Sequence, residues 1–389
     1  MISSLYIHIP VCLRKCDYCD FFSVPADSFP AATGNRFSAL VDSLITELRL
    51  KEARHHVDSW KTVYIGGGTP SLLSPVSIQR LGEAVGYRFA PAVFSTAEWT
   101  IEANPEDLTA SWLDACEAAG INRLSLGIQS MHDPVLSSVG RRGSRASNVD
   151  ALRLVRKRWR GQLSLDLIAG LPGESAEMLV ENLEMLHDYG PDHISLYSLT
   201  IEGNTPLGLR LEGPDPPELP GDSEADDIWL AGRDWLEGAG YRQYEISNFA
   251  RPGKECRHNR TYWELESYIG IGPGATGTII EGDTSCRSTN TTDIRAWLAD
   301  PGNTAEIEHV GREESIREFL MMGFRLAEGI PRERFQQRFG VDLLSLIGDT
   351  AGRWSRNGLL DIGEERISLT RDGLLLLNRF LIDCLQELG

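Results

Sequence analysis

The feature of this sequence that most restricts its fold is a repeated alternation of short β-rich runs with amphipathic helical periods. Extended runs are predicted at residues 5–9, 62–65, 98–102, 123–128, 163–168 and 193–199, and helices at 37–56, 77–89, 110–119, 148–159 and 176–189. Strands joined by crossover helices run parallel, with the helices outside, and their sites lie at the carboxyl ends of the strands. The sequence therefore predicts an α/β fold with a parallel sheet or barrel.

The alternation stops after about residue 200. Because Gly213-Pro214-Asp215-Pro216-Pro217 favours neither helix nor central strand, we expect a long loop over residues 203–221, above the barrel mouth. Later segments are predicted as a helix at 222–237, a strand at 243–248, a Gly-rich turn near 270–274, helices at 313–326, 332–339 and 371–388, and a short hairpin at 359–369. The predicted domains are a barrel at 1–240, a connecting segment at 241–304 and a mainly helical C-terminal domain at 305–389.

Composition excludes several classes of function. The chain has 389 residues and a formal charge of −18, which opposes binding along a nucleic acid backbone because that binding depends on Lys and Arg neutralising phosphates. No apolar run approaches the roughly 20 residues of a membrane span, and the first ten residues lack the features of a signal peptide. We therefore expect a cytoplasmic protein, and its seven cysteines, an odd number, argue against a disulfide framework.

Three of the cysteines are crowded into eight residues. Cys12, Cys16 and Cys19 follow the first predicted strand, and their spacing lets a short loop cover one face of a cubane iron–sulfur cluster. Three thiolates leave the fourth iron open to a small molecule that chelates through an amine and a carboxylate. The alternative is a closed structural zinc site with His8 as the fourth ligand, although such sites usually contain paired two-cysteine knuckles. The remaining cysteines are predicted to be ordinary thiols.

The CxxxCxxC loop, with Tyr18 before its last cysteine, resembles that of the radical S-adenosylmethionine (SAM) superfamily. The resemblance implies a partial (β/α) barrel of the TIM type. It also implies a [4Fe–4S] cluster held by Cys12, Cys16 and Cys19, whose open iron binds the amino and carboxylate groups of SAM. In that superfamily an injected electron splits SAM to a 5′-deoxyadenosyl radical.

Further motifs extend the resemblance. Gly66-Gly67-Gly68-Thr69 follows a predicted strand, where glycines permit close backbone approach and N–H groups can receive a carboxylate, although a plain tight turn has the same pattern. Polar residues occur at or after later strand ends, and each alone is more often a capping or solvated residue than a ligand: Glu102, Gln129, Arg141 and Asp166. Together with Tyr6, they resemble the SAM-site set of the oxygen-independent coproporphyrinogen III oxidase group.

Two features distinguish members of that group. The oxidases have a further Cys two residues after the triplet, whereas Cys19 is followed here by Asp20 and Phe21. The segment from Cys256 to Trp263 resembles the HNxxYW signature of the group's heme chaperones, known as HemW, and is predicted to lie beyond the barrel. A neutral imidazole such as His258 is a competent iron ligand, although a packed, hydrogen-bonded histidine is the ordinary alternative.

One departure bears on the heme ligand. Where the group has Ala-His-Gly, this chain has Ala275-Thr276-Gly277, so a ligand at that histidine would be missing here. The resemblance implies a chaperone that binds a [4Fe–4S] cluster, SAM and heme. It further implies delivery of heme to an acceptor, such as a membrane-associated respiratory hemoprotein, and an electron donor such as flavodoxin or ferredoxin. The alternatives are a radical SAM enzyme, either a coproporphyrinogen III oxidase or a methyltransferase, and a zinc-binding structural module.

Overall fold

The first half of the chain forms a parallel sheet in the computed structural model. The structure describes residues 2–30, 37–86 and 96–389. The first eight strands are β1 (Ser4–Ile9), β2 (Val11–Cys12), β3 (Val24–Pro25), β4 (Thr62–Gly67), β5 (Glu98–Ala103), β6 (Arg123–Gln129), β7 (Gln162–Ala169) and β8 (His193–Ser198). Strands β1 and β4 to β8 pair in parallel in that order, and β2 pairs with β3 beside the cysteine loop. The predicted α/β fold is confirmed.

Helices connect these strands. They are α1 (Ser38–Arg54), α2 (Pro75–Gly86), α3 (Ala110–Ala118), α4 (Asp133–Ser138), α5 (Arg145–Arg158) and α6 (Ala176–His187). Hydroxyl caps fix several starts: Thr109 accepts from the Trp112 N–H, and Ser175 accepts from the Met178 N–H. The prediction of a helix at 77–89 started two residues late, since α2 begins at Pro75. Positions 87–89 of this prediction lie outside the described residues.

Residues alternate between the two faces of each parallel strand, which separates an apolar layer from a polar lumen. Side chains packed under the helices are fully buried and apolar, as at Ile7, Ile101 and Leu165. The side chains at the intervening positions, such as Glu102 and Asp166, are polar and face the lumen of the barrel. The polar groups at the carboxyl ends of the strands are therefore gathered at one edge.

The segment after β8 differs from the prediction in two places. A helix, α7 (Pro206–Leu211), interrupts the expected loop, because Thr205 caps it and Pro206 occupies a first-turn position that tolerates proline. After α8 (Asp222–Gly238), the predicted single strand at 243–248 is wrong. The chain forms two antiparallel strands, β9 (Arg242–Glu245) and β10 (Asn248–Ala250), which extend the sheet beyond β8.

The next segment extends the opposite edge. It contains α9 (Arg257–Trp263), β11 (Tyr268–Ile271), β12 (Thr276–Glu281), β13 (Thr284–Asn290), α10 (Ile294–Ala299) and β14 (Thr304–Val310). Strand β11 is parallel to β1, and β12 to β14 follow as antiparallel strands, so twelve strands of the described chain share one sheet. The sequence prediction of a connecting segment missed these strands because their alternation is mostly polar.

The C-terminal region is mainly helical, as predicted, and has its own aromatic core. Its elements are α11 (Arg312–Gly323), β15 (Ile330–Pro331), α12 (Arg332–Phe339), α13 (Leu344–Arg356), β16 (Leu360–Ile362), β17 (Arg366–Leu369), α14 (Arg371–Leu375) and α15 (Leu377–Leu388). The hairpin at 359–369 is confirmed; α13 was not predicted, and the predicted helix at 371–388 is divided at Leu376. Within the described ranges, no helix is long and apolar enough to cross a bilayer.

Candidate functional site

A cavity of about 540 Å³ opens at the carboxyl ends of the parallel strands. Most of the predicted site residues line it: Cys12, Cys16, Cys19, Gly67, Gly68, Thr69, Glu102, Gln129, Arg141 and Asp166. Among the described residues, the lining does not include Tyr6, Gly66 or His258. The structure thus brings together groups that are separated by as many as 154 positions in sequence, from Cys12 to Asp166.

Polar donors approach the sulfur atoms of the cysteine loop. The Thr69 hydroxyl donates to Cys12 Sγ at 3.2 Å, and Arg141 Nη1 donates to Cys16 Sγ at 3.6 Å. The Cys19 N–H donates to the Cys16 carbonyl at 3.2 Å, which closes the loop around the two sulfurs. Hydrogen bonds directed at cysteine sulfur tune the reduction potential of an iron–sulfur cluster when one is bound.

The donor set fits a cluster better than the zinc alternative. Over residues 2–30, 37–86 and 96–389, no three His, Cys, Asp or Glu side chains converge closely enough to hold a metal ion, whereas a closed zinc site surrounds one ion with four donors. His8, the suggested fourth zinc ligand, donates from Nε2 to the Phe22 carbonyl at 2.9 Å and accepts at Nδ1 from the Tyr6 hydroxyl at 3.0 Å. Both of its nitrogens are therefore engaged. A cubane instead distributes thiolates over separate irons.

The glycine motif lies directly against the cysteine loop. Gly67 has φ +106°, and a Cβ there would lie 2.5 Å from the His8 ring. A Cβ on Gly68 would lie 2.6 Å from the Val11 carbonyl oxygen. Side chains at these two positions would separate the loops, which explains the residue type.

Two carboxyl groups lie within the wall of the cavity. Glu102 accepts from the Tyr64 hydroxyl at 2.7 Å and from the Gly67 N–H at 3.2 Å, and burial raises the pKa of its carboxyl to about 7. Asp166 accepts from Ser195 Oγ at 2.7 Å and from Ser125 Oγ at 2.9 Å, and burial raises its pKa as well. Near neutral pH, Glu102 is thus poised to change its protonation state.

Arg141 and Gln129 are fixed by the sheet itself. Arg141 Nη2 donates to Asn104 Oδ1 at 2.8 Å and also contacts the Gly127 carbonyl oxygen. Gln129 has φ +66°, at the point where the β6–β7 register shifts. A non-glycine residue in this region is costly and is found preferentially at functional sites.

His258 lies beside Thr62 at the amino end of β4, and Tyr6 lies midway along β1. The Tyr6 and Tyr64 rings stack with centroids 6.3 Å apart. His258 is 0% exposed, and its ring hydrogen-bonds through Nδ1 with Thr62 Oγ1 and through Nε2 with the Tyr262 hydroxyl, both at 2.8 Å. Burial lowers its pKa to about 3, so the imidazole is neutral.

The predicted position of the HNxxYW motif beyond the barrel is wrong. Glu98, the first residue of β5, accepts the N–H groups of Arg257 and His258 at 2.9 Å each. This carboxylate holds the amino end of α9 against the sheet, where negative charge stabilises a helix. The motif therefore closes the amino end of the barrel.

Sequence reasoning missed several residues that line the cavity, among them Tyr64, Asn104 and Tyr197. The two-residue period of a strand was the available signal, since it places Tyr64 on the same face as Gly66 and Tyr197 on the same face as Ser195.

Comparison with known proteins assigns the family. The sequence matches the radical SAM superfamily over residues 6–186 and the HemN C-terminal domain over residues 310–376. It is 38% identical to heme chaperone HemW of Escherichia coli, covering 85% of each chain, and 32% identical to heme chaperone HemW of Lactococcus lactis, covering 98% of each. The chain belongs to the HemW family of radical SAM proteins. The predicted resemblance is confirmed.

Two further similarities were found, one to a curated protein and one to a solved structure. A mouse protein, radical S-adenosyl methionine domain-containing protein 1, mitochondrial, is 33% identical over 99% of this chain and 88% of its own. The solved structure of coproporphyrinogen III oxidase (HemN) from E. coli superposes with a TM-score of 0.79 at 22% identity, covering 98% of this chain and 90% of that one. At that identity the match supports the fold alone.

Proposed function

We propose that this protein is a heme chaperone that holds a [4Fe–4S] cluster and SAM at the barrel mouth and passes heme to an acceptor hemoprotein. The observation that carries the proposal is the near full-length similarity to proteins named heme chaperone HemW. Asp20 and Phe21, in place of the further cysteine of the oxidases, support it.

The cavity residues divide between the two cofactors. Cys12, Cys16 and Cys19 would ligate the cluster, and SAM would contact a set consisting of Gly67, Gly68, Thr69, Glu102, Gln129, Arg141 and Asp166. A bound cluster supplies one-electron chemistry to the SAM at its open iron. Arg141 keeps positive charge beside Cys16, and an ionised Glu102 can accept hydrogen bonds from the SAM amino group or ribose.

His258 is the proposed heme ligand. Its ring is already neutral, so iron binding requires no loss of a proton. Because both ring nitrogens are hydrogen-bonded at 0% exposure, α9 must leave its position on the sheet before iron can reach His258. The same movement frees Tyr262 and Trp263, whose flat faces suit a macrocycle.

The proposed partners follow from this function. They are a heme-accepting protein, such as a membrane-associated respiratory hemoprotein, and a one-electron donor such as flavodoxin or ferredoxin. A cytoplasmic location is part of the proposal.

Hemin titration and transfer test the function. The wild-type protein is expected to take up hemin with a shifted Soret band and to lose it to excess apomyoglobin. His258→Ala is expected to weaken hemin binding at least tenfold, whereas His309→Ala, an exposed control on β14, is expected to match wild type. Wild-type protein that takes up no hemin would contradict the chaperone function. Unchanged binding by His258→Ala would contradict only the choice of ligand.

A further inference from the structure

We infer that helix α7 is a strap that holds the cysteine loop in position for the cluster, with Asp17 and Arg210 as positioning residues. This inference rests on the proposed function in one respect, the assignment of the cluster to Cys12, Cys16 and Cys19. Asp17 directly follows Cys16, and Arg210 lies near the end of α7, 193 positions later in the chain.

Both backbone polar groups of Asp17 are hydrogen-bonded to other parts of the chain. Its N–H donates to the Val139 carbonyl at 2.9 Å, and its carbonyl accepts from the Leu207 N–H at 2.7 Å. A Cβ on Gly140, which has φ +67°, would lie 2.5 Å from Asp17 Oδ1, so a side chain there would displace Asp17. The cysteine loop is therefore fixed between the end of α4 and the start of α7.

Arg210 adds a charged contact to the same residue of the loop. Its Nη1 donates to Asp17 Oδ2 and to the Ser138 carbonyl, both at 2.8 Å, so one nitrogen joins α7, the end of α4 and the cysteine loop. The Asp17 side chain is 19% exposed and that of Arg210 is 44% exposed. An ion pair this exposed contributes little to the stability of the whole protein. Its effect is therefore expected on the loop itself.

The strap has a defined conformation where it meets the loop. The Thr205 hydroxyl accepts from the Gly208 N–H at 3.2 Å and donates to the Glu202 carbonyl at 2.7 Å, which fixes the first turn of α7. One residue earlier, Asn204 Nδ2 donates to Asp20 Oδ1 at 3.2 Å, just past the last cysteine. The segment thus contacts the loop at two points.

The opposite end of the cysteine loop has a separate support in the glycine motif. The Thr69 hydroxyl donates to Cys12 Sγ at 3.2 Å, and the Gly68 N–H donates to the Ile9 carbonyl at 2.8 Å. Contacts within the protein therefore specify the shape of the loop at both ends. The glycine motif acts at Cys12, and α7 acts beyond Cys16.

A loop held at both ends keeps its three thiols close together, which lowers the conformational entropy lost when they bind one cluster. Release of iron requires local opening of the loop, and such openings occur without unfolding of the rest of the protein. Removal of the Arg210 side chain frees the Asp17 end of the loop. We therefore expect more frequent opening and faster loss of the cluster.

The test uses the full chain with its cluster reconstituted anaerobically. Loss of the iron–sulfur absorbance is followed in excess EDTA. Arg210→Ala is expected to lose it about two- to fivefold faster than wild type. The double variant Asp17→Ala with Arg210→Ala is expected to match Arg210→Ala, because both substitutions remove one contact. Arg210→Lys, which keeps a donor for both acceptors, is expected to lie closer to wild type.

Arg312→Ala is the matched control. Arg312 Nη1 donates to Asp283 Oδ2 at 2.8 Å, both side chains are 41% exposed, and the guanidinium also contacts the Phe339 carbonyl. The pair thus resembles that of Arg210 in kind and exposure, but it does not line the cavity. Its removal is expected to leave the rate of cluster loss unchanged.

Hydrogen exchange in the cluster-free protein separates positioning of the loop from a general structural role. Exchange over residues 16–22 is expected to be faster in Arg210→Ala than in wild type, at an unchanged melting temperature. Arg312→Ala is expected to exchange there at the wild-type rate.

The outcomes distinguish the strap from the proposed function. Equal rates of cluster loss in Arg210→Ala and Arg312→Ala, or unchanged exchange over residues 16–22 in Arg210→Ala, would overturn the strap and leave the cluster assignment intact. Wild-type protein that takes up no iron–sulfur cluster would overturn that assignment, and the strap with it.

Discussion

Glu102 accepts from two donors, the Tyr64 hydroxyl and the Gly67 N–H, in the wall of the cavity. Its pKa of about 7 in the folded protein exceeds the ordinary value of 4.5. Between these two pH values the folded protein binds more protons than the unfolded chain, so the contribution of Glu102 to stability falls as pH rises. The difference corresponds to on the order of 3 kcal/mol.

Replacing this carboxyl by an amide removes that dependence. SAM-free Glu102→Gln is expected to lose less thermal stability than wild type between pH 5 and pH 8. Glu174 and Glu245, whose pKa values burial also raises to about 7, are present in both proteins, so the difference isolates Glu102. Thermal unfolding of both proteins at pH 5 and pH 8 measures this change in stability. An equal change in wild type and Glu102→Gln would show that Glu102 is ionised in the folded protein without a cost in stability.

A second expectation concerns the cysteine loop. Cys16→Ala is expected to lose most of the iron and the visible absorbance of anaerobically purified protein, because the loop then supplies two thiolates. Cys286→Ala, on β13 away from the cavity, should retain both. Equal iron content in the two variants would refute the assignment of Cys16 as a ligand.

Sequence predicted the polar residues at strand ends because the carboxyl ends of parallel strands meet at one edge. It did not predict the surroundings of His258. The contact with Thr62 joins residues 196 positions apart, and no local pattern encodes it. The two-residue alternation of β4 was also available for Tyr64, which sequence reasoning missed, but it does not encode the stacking of the Tyr64 ring on His258 of α9.

At the scale of elements, the Glu98 carboxylate is one of several contacts that hold α9, together with the Thr62–His258 and Ser4–Thr261 hydrogen bonds. Glu98→Ala leaves the N–H groups of Arg257 and His258 without their acceptor, at a cost of on the order of 1–3 kcal/mol. We expect faster hydrogen exchange across Arg257–Trp263 than in wild type. Glu281→Ala, an exposed control at the end of β12, should leave this segment unchanged. Unaltered exchange in Glu98→Ala would show that other contacts position α9.

The elements predicted well are the strands and helices of the first 200 residues, whose apolar residues recur regularly and pack between the sheet and the helices. The failures have local causes. The reversal between β9 and β10 occupies two residues, Ile246 and Ser247, and was hidden in a run typical of one strand. Strands β12 and β13 are rich in Thr and Ser and each carries one charged residue, so their pairing comes from extension of an existing sheet rather than from an apolar face.

At the scale of the whole molecule, the two largest of the four hydrophobic clusters in the described chain lie under the barrel helices and in the C-terminal region, where aromatic residues contribute much of the core. The proposed domain boundary near residue 305 falls within β14, the last strand of the large sheet. A bridge from Glu245 to Leu326 joins the two regions. The sequence indicated a separate C-terminal region. The strands that extend the sheet past residue 240 had no sequence signal strong enough to extend the predicted barrel beyond that residue.

Separate cores predict separable unfolding. Phe380 is fully buried among C-terminal aromatic rings, and Phe380→Ala is expected to cost about 3–5 kcal/mol. We expect calorimetry to show an earlier C-terminal transition, with SAM affinity unchanged within twofold. Leu375→Ala, half exposed on α14, serves as the control. Concerted loss of SAM binding would indicate one cooperative unit.

The most direct test of the central claim is an anaerobic assay of reconstituted protein with SAM, reductant and coproporphyrinogen III, run beside a hemin titration of the same sample. We predict stable hemin uptake and no protoporphyrinogen. Protoporphyrinogen formed with repeated turnover would contradict the account and identify the chain as an oxidase.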